Sequence, residues 1–576
     1  MSICTSNLTS GFIDLATYDE QEKYLYGGPD AVAYFVREIR KATWFTQVPV
    51  CLSSRSGQPG FGQQWSVSIS RAGDYLLYTW LRLTLNQVVA ATANSTLVGS
   101  AVGCDGRVPS GAQTNNHVLR WTRNFMHNII QECAITFNDL VAARFDNYHL
   151  DFWSAFTVPA GKRNGYNNMI GNIDALTNPV AIAFPSLNQC LGGSVNPITG
   201  ASGLVNVNAQ GKQVLPAATL NLPLPFFFSR DSGLALPTAA LPYNEMRINF
   251  AFRNWNDLLT VDTYVNDIQG DVATGECGYW TSRPALPTDL DASTPPESIM
   301  GPVNVWANYA IVSNDERKKM ACAPRDILIE QVQTAPVQNY NPTTSAPIDI
   351  RFSHAIKALF WAARNISTPS AWSNYTTSQQ LPLGPADCVA ADNAMFGVVD
   401  FHQGVDPIAS TSLIYENTQR LYQMGSDYFS LVNPWYHAPV IPLETGYHLY
   451  SYSLDFFAID PMGSTNYGKL TNVSIVPQGS ADAVSSIQPA QSTVNPAYPG
   501  VYLPSPPLPG TVTPGYGAKY AFITTAVNNN IIRISGGKTP YKCLQQWAAE
   551  EDMKSLFWEN SVRFHQRIYN MLYITC

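Results

Sequence analysis

NLPLPFFFSRDSGLALPTAALPYNEMRINFAFRNW, residues 221–255, decides the fold class of this 576-residue chain. It runs from a Pro-punctuated apolar segment, through a Gly/Pro loop, into a clean alternation at Ile248, Phe250 and Phe252. Period-two alternation places every second side chain on one face, the pattern of a strand with one buried side. The pattern recurs upstream. Trp65, Val67 and Ile69 alternate with Ser66, Ser68 and Ser70, and Tyr75, Leu77, Thr79, Leu81, Leu83 and Leu85 carry one face of the next run. Thr43–Val50 and Cys133–Phe137 read as further short strands. Downstream, Val303, Val305, Ala307, Tyr309 and Ile311 share a face, Ile327 and Ile329 open a second strand, and Ile348, Ile350 and Phe352 a third. Lys357–Arg364 precedes a long polar loop, and Tyr447–Ile459 is an aromatic strand pattern. Tyr520–Val527 and Asn530–Ser535 close the set, with Asn528–Asn529–Asn530 read as the turn between them.

Helical spacing is confined to three places. A short helix is expected around Asp30–Ile39, with Pro29 near its start. Asp139–Phe156 places Phe145, Leu150, Trp153 and Phe156 near helical spacing. Met553–Tyr573 carries a stripe of Met553, Leu556, Phe557, Phe564, Ile568, Met571 and Leu572, with acids before it and Arg563 and Arg567 late, as a helix dipole favours. Gly/Asn/Pro-rich residues 191–217 and Ser/Pro/Gly-rich residues 477–518 read as long loops. The expected organisation is an arm at 1–40, a β-domain at 41–260, a connecting segment at 261–302, a second β-domain at 303–540 and a helical extension at 541–576. Forty prolines and thirty-eight glycines punctuate many short strands, the signature of an all-β jelly roll or related sandwich repeated once.

Composition narrows the function. Charged residues make up only 13% of the chain, about half the usual share of roughly 25%. A large protein so poor in charge is expected to cover much of its surface with neighbours. The net charge of −8 is mild, and the nearest basic cluster is Arg317, Lys318 and Lys319. Direct nucleic-acid binding needs a basic face, so none is expected. Ten cysteines are scattered singly without a CxxC pair, which argues against zinc-ribbon and thioredoxin-like chemistry and fits buried thiols in a reducing compartment. The start, MSICTSNLTSGFIDLATYDE, lacks basic and apolar signal regions, so secretion is not expected.

Six stretches together resemble one family. They are 221–255 above, SGFIDLATYDEQEKYLYGG (10–28), SGQPGFGQQWSVSISRAGDYLLYTWLRL (56–83), FNDLVAARFDNYHLDFWSAFTVPAGKRNGYNNMIGN (137–172), SLDFFAIDPMGSTNYGKLTNVSI (453–475) and NNIIRISGG (529–537). In this order they resemble the major capsid proteins of nucleocytoplasmic large DNA viruses, of the iridovirus, ascovirus and marseillevirus kind. The resemblance implies a double jelly roll of two consecutive eight-stranded barrels. It implies a structural protein of the virion's outer shell, assembled in host cytoplasm. It further implies that three chains form a pseudo-hexagonal capsomer tiling an icosahedral shell, with minor capsid and penton proteins as partners and an internal membrane surface beneath. Family members usually end soon after the strand matching 529–537. The extension 541–576 is therefore read as a helix docked on its own barrel or as a tether to a neighbour. A carbohydrate-binding or host-attachment protein on the same architecture is the alternative.

No residue of the sequence is expected to be catalytic, cofactor-binding or a metal ligand. SGQPGFGQ lacks the GK[ST] ending of a phosphate loop, so Gly57, Gly60 and Gly62 are read as turn formers. Gly73–Asp74 and Gly463–Ser464–Thr465–Asn466 are read the same way. His437, Glu444 and His448 form the one conceivable metal set. Asp139, Asp146 and Asp151 lie on one expected helix, with capping or solvated roles. Acceptor tripeptides for glycosylation begin at Asn7, Asn94, Asn365, Asn374 and Asn472.

Overall fold

A computed structural model describes residues 3–37, 39, 41–93, 115–177, 208, 212–241, 244–265, 279–317, 325–379, 404–488, 516–535, 563–564 and 571–575. The chain divides into two compact units, Met1–Phe45 and Thr46–Cys576. The first holds α1 (Ile3–Ala16) and α2 (Glu20–Tyr26). Asp19 caps α2, and Lys23 pairs with Glu20 one turn back at 2.8 Å. The helix expected at Asp30–Ile39 does not form in the described residues there, which are turn and irregular backbone. Val32, Tyr34, Phe35 and Val36 lose rotamer freedom in a helix, and no capping residue is engaged to offset that cost.

The second unit holds two sandwiches. In the first half, one sheet orders β1 (Phe45–Cys51), β14 (Met300–Val312), β4 (Tyr75–Leu85) and β10 (Ala218–Pro223). The other orders β2 (Ser53–Ser56), β3 (Gln64–Ser68), β11 (Met246–Phe252), β7 (Ile130–Phe137) and β8 (Leu140–Phe145). Smaller sheets join β13 (Tyr279–Pro284), β12 (Leu259–Val265) and β6 (Asn115–Trp121), and β5 (Val88–Ala93) with β9 (Lys212–Leu215). Leu81, Leu83 and Leu85 from one main sheet meet Trp65, Val67, Ile135, Ile248 and Phe250 from the other in a shared core. The alternation read at Ile248, Phe250 and Phe252 is borne out, since all three are buried; Ile248 and Phe250 pair with both β3 and β7, and Phe252 pairs with β7 beyond a register shift.

In the second half, β24 (Tyr520–Ser535) is central. It pairs with β18 (Ala355–Asn365), β15 (Arg325–Thr334) and β16 (Gln338–Tyr340). β18 in turn pairs with β21 (His448–Ser451) and β22 (Thr465–Asn466). The opposing sheet orders β17 (Ile348–Asp349), β23 (Val473–Gly479), β19 (Ile408–Tyr415) and β20 (Thr418–Gly425). Leu359, Trp361 and Phe522 face Ile408, Leu413 and Ile475 across this second core.

Several expectations are corrected. Asp139–Phe156 is not one helix. Asn138 and Asp139 take φ of 48° and 67°, which makes a tight hairpin turn, and Leu140–Phe145 returns along β7 as β8. The helix α4 starts only at Asn147 and ends at Thr157, and α5 (Ala160–Ile170) follows it. On β4 the buried face carries Leu76, not Tyr75 or Leu77, because a bulge between Leu76 and Tyr78 flips the side-chain phase. Of Tyr447–Ile459, only His448–Ser451 is strand.

The connection placed at 261–302 contains β13, and β14, assigned to the second domain, hydrogen-bonds to β4 of the first. The divide between the sandwiches therefore follows Val312. Lys212–Leu215 within the loop read at 191–217 is strand, and Ala481–Ile487 within 477–518 is helix. Asn528–Asn530 is no turn. β24 runs straight through it, because Gln331 and Gln333 on β15 bond the Asn528 and Asn530 side chains at 2.8–3.5 Å. In the extension, Arg563–Phe564 and Met571–Thr575 are strands rather than helix, the latter parallel to Ile531–Ser535 of β24. A short apolar run is ambiguous between helix and strand, and here the open edge of β24 supplies the backbone partners. The remainder of Met553–Tyr573 lies outside the described residues.

Candidate functional site: the junction between the two halves

The buried groups that fix one sandwich against the other gather where the helix beginning at Asn147 meets the second half. α4 starts where Asp146 accepts a hydrogen bond from the His149 N–H at 2.8 Å. Burial pushes the Asp146 carboxyl up, against the hydrogen bond from His149. The helix belongs to the first half by sequence, but Phe152, Ala155 and Phe156 pack on Ala358, Phe360 and Ala362 of β18 and on Ile523 and Val527 of β24. Phe152 stacks on Phe360 with centroids 5.9 Å apart, and Phe156 lies 5.6 Å from the same ring. Each fully buried phenylalanine contributes about 1.5–3 kcal/mol.

A buried polar knot lies beside this helix. One carboxylate oxygen of Asp151 accepts from His127 Nδ1 at 2.7 Å and from Asn124 Nδ2 at 3.2 Å. The other accepts from the Ser373 hydroxyl at 2.7 Å and the Tyr375 hydroxyl at 2.9 Å. The far nitrogen of His127 meets the Tyr166 hydroxyl at 2.7 Å. Burial and the Asp151 charge push the Tyr166 and Tyr375 phenols upward, which keeps both hydroxyls protonated. Asn128 adds a bond to Ser373 at 2.8 Å. Five residues of the first half, Asn124, His127, Asn128, Asp151 and Tyr166, thus gather around two of the second, and both carboxylate oxygens accept two hydrogen bonds each.

Charged pairs surround the knot. Arg123 of the first half pairs with Glu444 of the second; burial opposes the Arg123 charge, but Glu444 more than restores it. Glu330 on β15 bridges Arg230 of the first half and the fully buried Lys357 of β18, the latter at 2.6 Å. Trp372 is clasped by Arg253 and Arg364, one from each half, both 3.6 Å from its ring centroid. Burial, with the neighbouring Arg364 charge, pushes the Arg253 pKa down to about 10. The Trp372 indole N–H donates to the Asp257 carbonyl at 2.8 Å.

The residues weighed from sequence fall as follows. Asp151 is central to the knot, Asp146 is a helix cap, and Asp139 is an exposed partner of Arg247 at 3.1 Å. The structure does not join His437, Glu444 and His448. His437 bonds the Leu454 carbonyl, Glu444 pairs with Arg123, and His448 meets Asp406 at 2.8 Å. Among the described residues no group of three His, Cys, Asp or Glu side chains is placed to hold a metal ion. Gly57 and Gly62 take φ of 78° and 69°, and a Cβ on Gly57 would stand 2.4 Å from the Gln64 carbonyl oxygen, so both are turn formers as read. Asn365 and Asn374 are buried, each accepting from the N–H and hydroxyl two residues on. Their tripeptides are turns rather than glycan acceptors. Asn7 and Asn472 are exposed, and Asn94 lies outside the described residues. Cys133 is buried and Cys51 exposed. Sequence reading missed Ser373, Tyr375 and Arg123, whose partners lie more than 200 residues away, and Trp372, whose partner Asp257 lies 115 residues away.

Comparison with known proteins agrees with this arrangement. Residues 33–312 match the model of the major capsid protein N-terminus, and residues 316–498 that of the large eukaryotic DNA virus major capsid protein. The boundary between the two falls just after β14. The chain is 54% identical over 544 residues to the major capsid protein of Tipula iridescent virus, covering 94% of this chain and 98% of that one. It is 55% identical over 553 residues to the major capsid protein of Wiseana iridescent virus, covering 94% and 95%. A solved structure titled as the PBCV-1 virus capsid, a quasi-atomic model, superposes with a TM-score of 0.56 at 19% identity, covering 88% of this chain and 98% of that one. That likeness shows the fold, a double jelly roll. The chain belongs to the major capsid protein family of the large eukaryotic DNA viruses, and its task is structural rather than enzymatic.

Proposed function

We propose that three copies of this chain associate into a pseudo-hexagonal capsomer, and that capsomers tile an icosahedral shell. The observation carrying this reading is the junction. Two similar sandwiches held at one fixed angle give each subunit two comparable outer sides, and three such subunits offer six. A hinged pair would present no regular tile. The Asp151 knot, the α4 packing and the cross-half ion pairs supply the rigidity. Contacts between capsomers then repeat with symmetry, and individually weak ones add through multivalency. Minor capsid and penton proteins, an internal membrane beneath the shell and assembly in host cytoplasm complete the reading on the strength of the family. The test is light scattering on the purified full chain across a wide concentration range. A species of three chain masses is expected, and a well-behaved monomer throughout would overturn the reading.

A further inference from the structure

The second half carries an apolar ridge that the described residues leave uncovered. A π-helical turn, Tyr428–Val432, runs directly into the helix Asn433–His437. Turns of this kind are rare and concentrate at functional sites. The inner side is anchored. Phe429 lies edge-on to Trp361 at 4.8 Å, and the Asn433 side-chain oxygen accepts from the Ser451 N–H at 3.1 Å. The outer side exposes Leu431, Val432, Trp435 and Tyr436, at 51%, 42%, 71% and 73%. A second segment extends it. His437 Nδ1 donates to the Leu454 carbonyl at 2.8 Å, and the Leu454 N–H donates to the Met462 carbonyl at 3.2 Å. Leu454 and Met462 are themselves 73% and 42% exposed.

Six apolar side chains from two tied segments therefore form one surface. With aromatic side chains of about 150–250 Å² each, the ridge presents roughly 600 Å². That is the upper end of the largest apolar patch on a typical monomer, about 300–600 Å², and approaches the about 800 Å² per partner of a stable interface. Its chemistry selects the occupant. From Tyr428 to Leu443 the sequence contains no Asp, Glu, Lys or Arg. An anionic lipid surface or a nucleic acid would be drawn by Lys and Arg; neither segment of the ridge contains one, and the second, Leu454–Met462, carries the acids Asp455 and Asp460, which would repel either. Loss of charge with enrichment in Trp, Tyr and Met is the composition of a protein interface core.

We propose that this ridge is the surface on which a second copy of the chain docks within the trimer. The inference rests on the trimer reading and names the contact that carries it. In a closed three-fold ring the ridge of one copy meets a different surface of the next, so every copy gives one ridge and covers another.

The full-length chain is compared with W435E/Y436S, and separately with L454D on the other segment, by light scattering at matched concentrations. Circular dichroism establishes that each is folded. Exposed positions change the fold little, whereas interface anchors are expected to weaken association about thirtyfold or more. The expected result is a trimeric parent, folded variants that run as monomers at the same concentration, and a W435F/Y436F control that stays trimeric. A trimeric parent with trimeric variants overturns the ridge as the contact and leaves the trimer reading standing. A monomeric parent overturns the trimer reading and the assignment of the occupant with it. Variants that stay trimeric while losing binding to phosphatidylcholine vesicles shown by the parent would assign the ridge to lipid instead.

Discussion

Replacing Asp151 by alanine tests whether the polar knot sets the junction. The substitution removes the acceptor for His127, Asn124, Ser373 and Tyr375 together. Asn124 is only half-buried, and the Ser373 oxygen still accepts from Asn128, but the Ser373 hydroxyl loses the acceptor for its own hydrogen. That leaves the Tyr375 and Ser373 hydroxyls and His127 Nδ1 as buried donors that have lost their acceptor, each costing up to about 1–3 kcal/mol. Relief from holding a carboxylate out of water offsets part of this. The net loss should match that of breaking a buried pair, about 3–5 kcal/mol. Asp151→Asn keeps the shape and one acceptor, and its amide can donate to the Ser373 oxygen, so a cost of about 1–2 kcal/mol is expected. Urea unfolding followed by tryptophan fluorescence, at fixed chain concentration, measures both. Tyr375→Phe in combination with Asp151→Ala closes a cycle whose coupling should reach about 0.5–3 kcal/mol. If Asp151→Ala costs under about 1 kcal/mol, or the cycle shows no coupling, the knot is a passenger and apolar packing alone orients the halves.

Two further predictions concern single groups. Burial raises the Asp74 pKa, but hydrogen bonds from Arg317 and the Val312 N–H, with the Arg317 charge, hold it below its ordinary value. A depressed folded pKa contributes stability above the unfolded value, near 3.8, that is lost as pH falls through the folded one. Asp74→Asn should therefore lower stability at neutral pH, with the gap to the parent closing in acid below that value; a gap independent of pH in calorimetry would contradict the pairing. Gly57→Ala forces a side chain into positive φ and into the Gln64 carbonyl, so a loss of about 1–3 kcal/mol in thermal unfolding is expected, and a neutral result would mean the turn can relax.

The elements legible in sequence are those whose signal is local. The alternation at Trp65–Ile69 and Ile248–Phe252 needs no distant partner to be read, and the strands stand where expected. The Asn138–Asp139 hairpin and the Asp146 cap also had local signals, overridden by an apparent helical spacing that crosses three different structures. What could not be read is pairing at long range. Asn528–Asn530 resembles a turn until Gln331 and Gln333 are placed beside it. β14 resembles the start of a second domain until β4 is found next to it. Asp151 was noticed as one of three acids on a helix, yet its role is set by Ser373 and Tyr375, which nothing near it in sequence announces.

β24 carries a consequence for the order of events during synthesis. Tyr520 and Phe522 complete the second core, Ile523 and Val527 complete the α4 contact, and Ile532 enters the core of the first half together with Ile327 and Ile329. All three apolar interiors thus await a strand made when most of the chain has already left the ribosome. A fragment ending before Tyr520 lacks the strand that completes the second core and the α4 contact, while its first core misses only Ile532. The fixed angle between the barrels is therefore a property that the subunit gains late, with one of the last strands to be made.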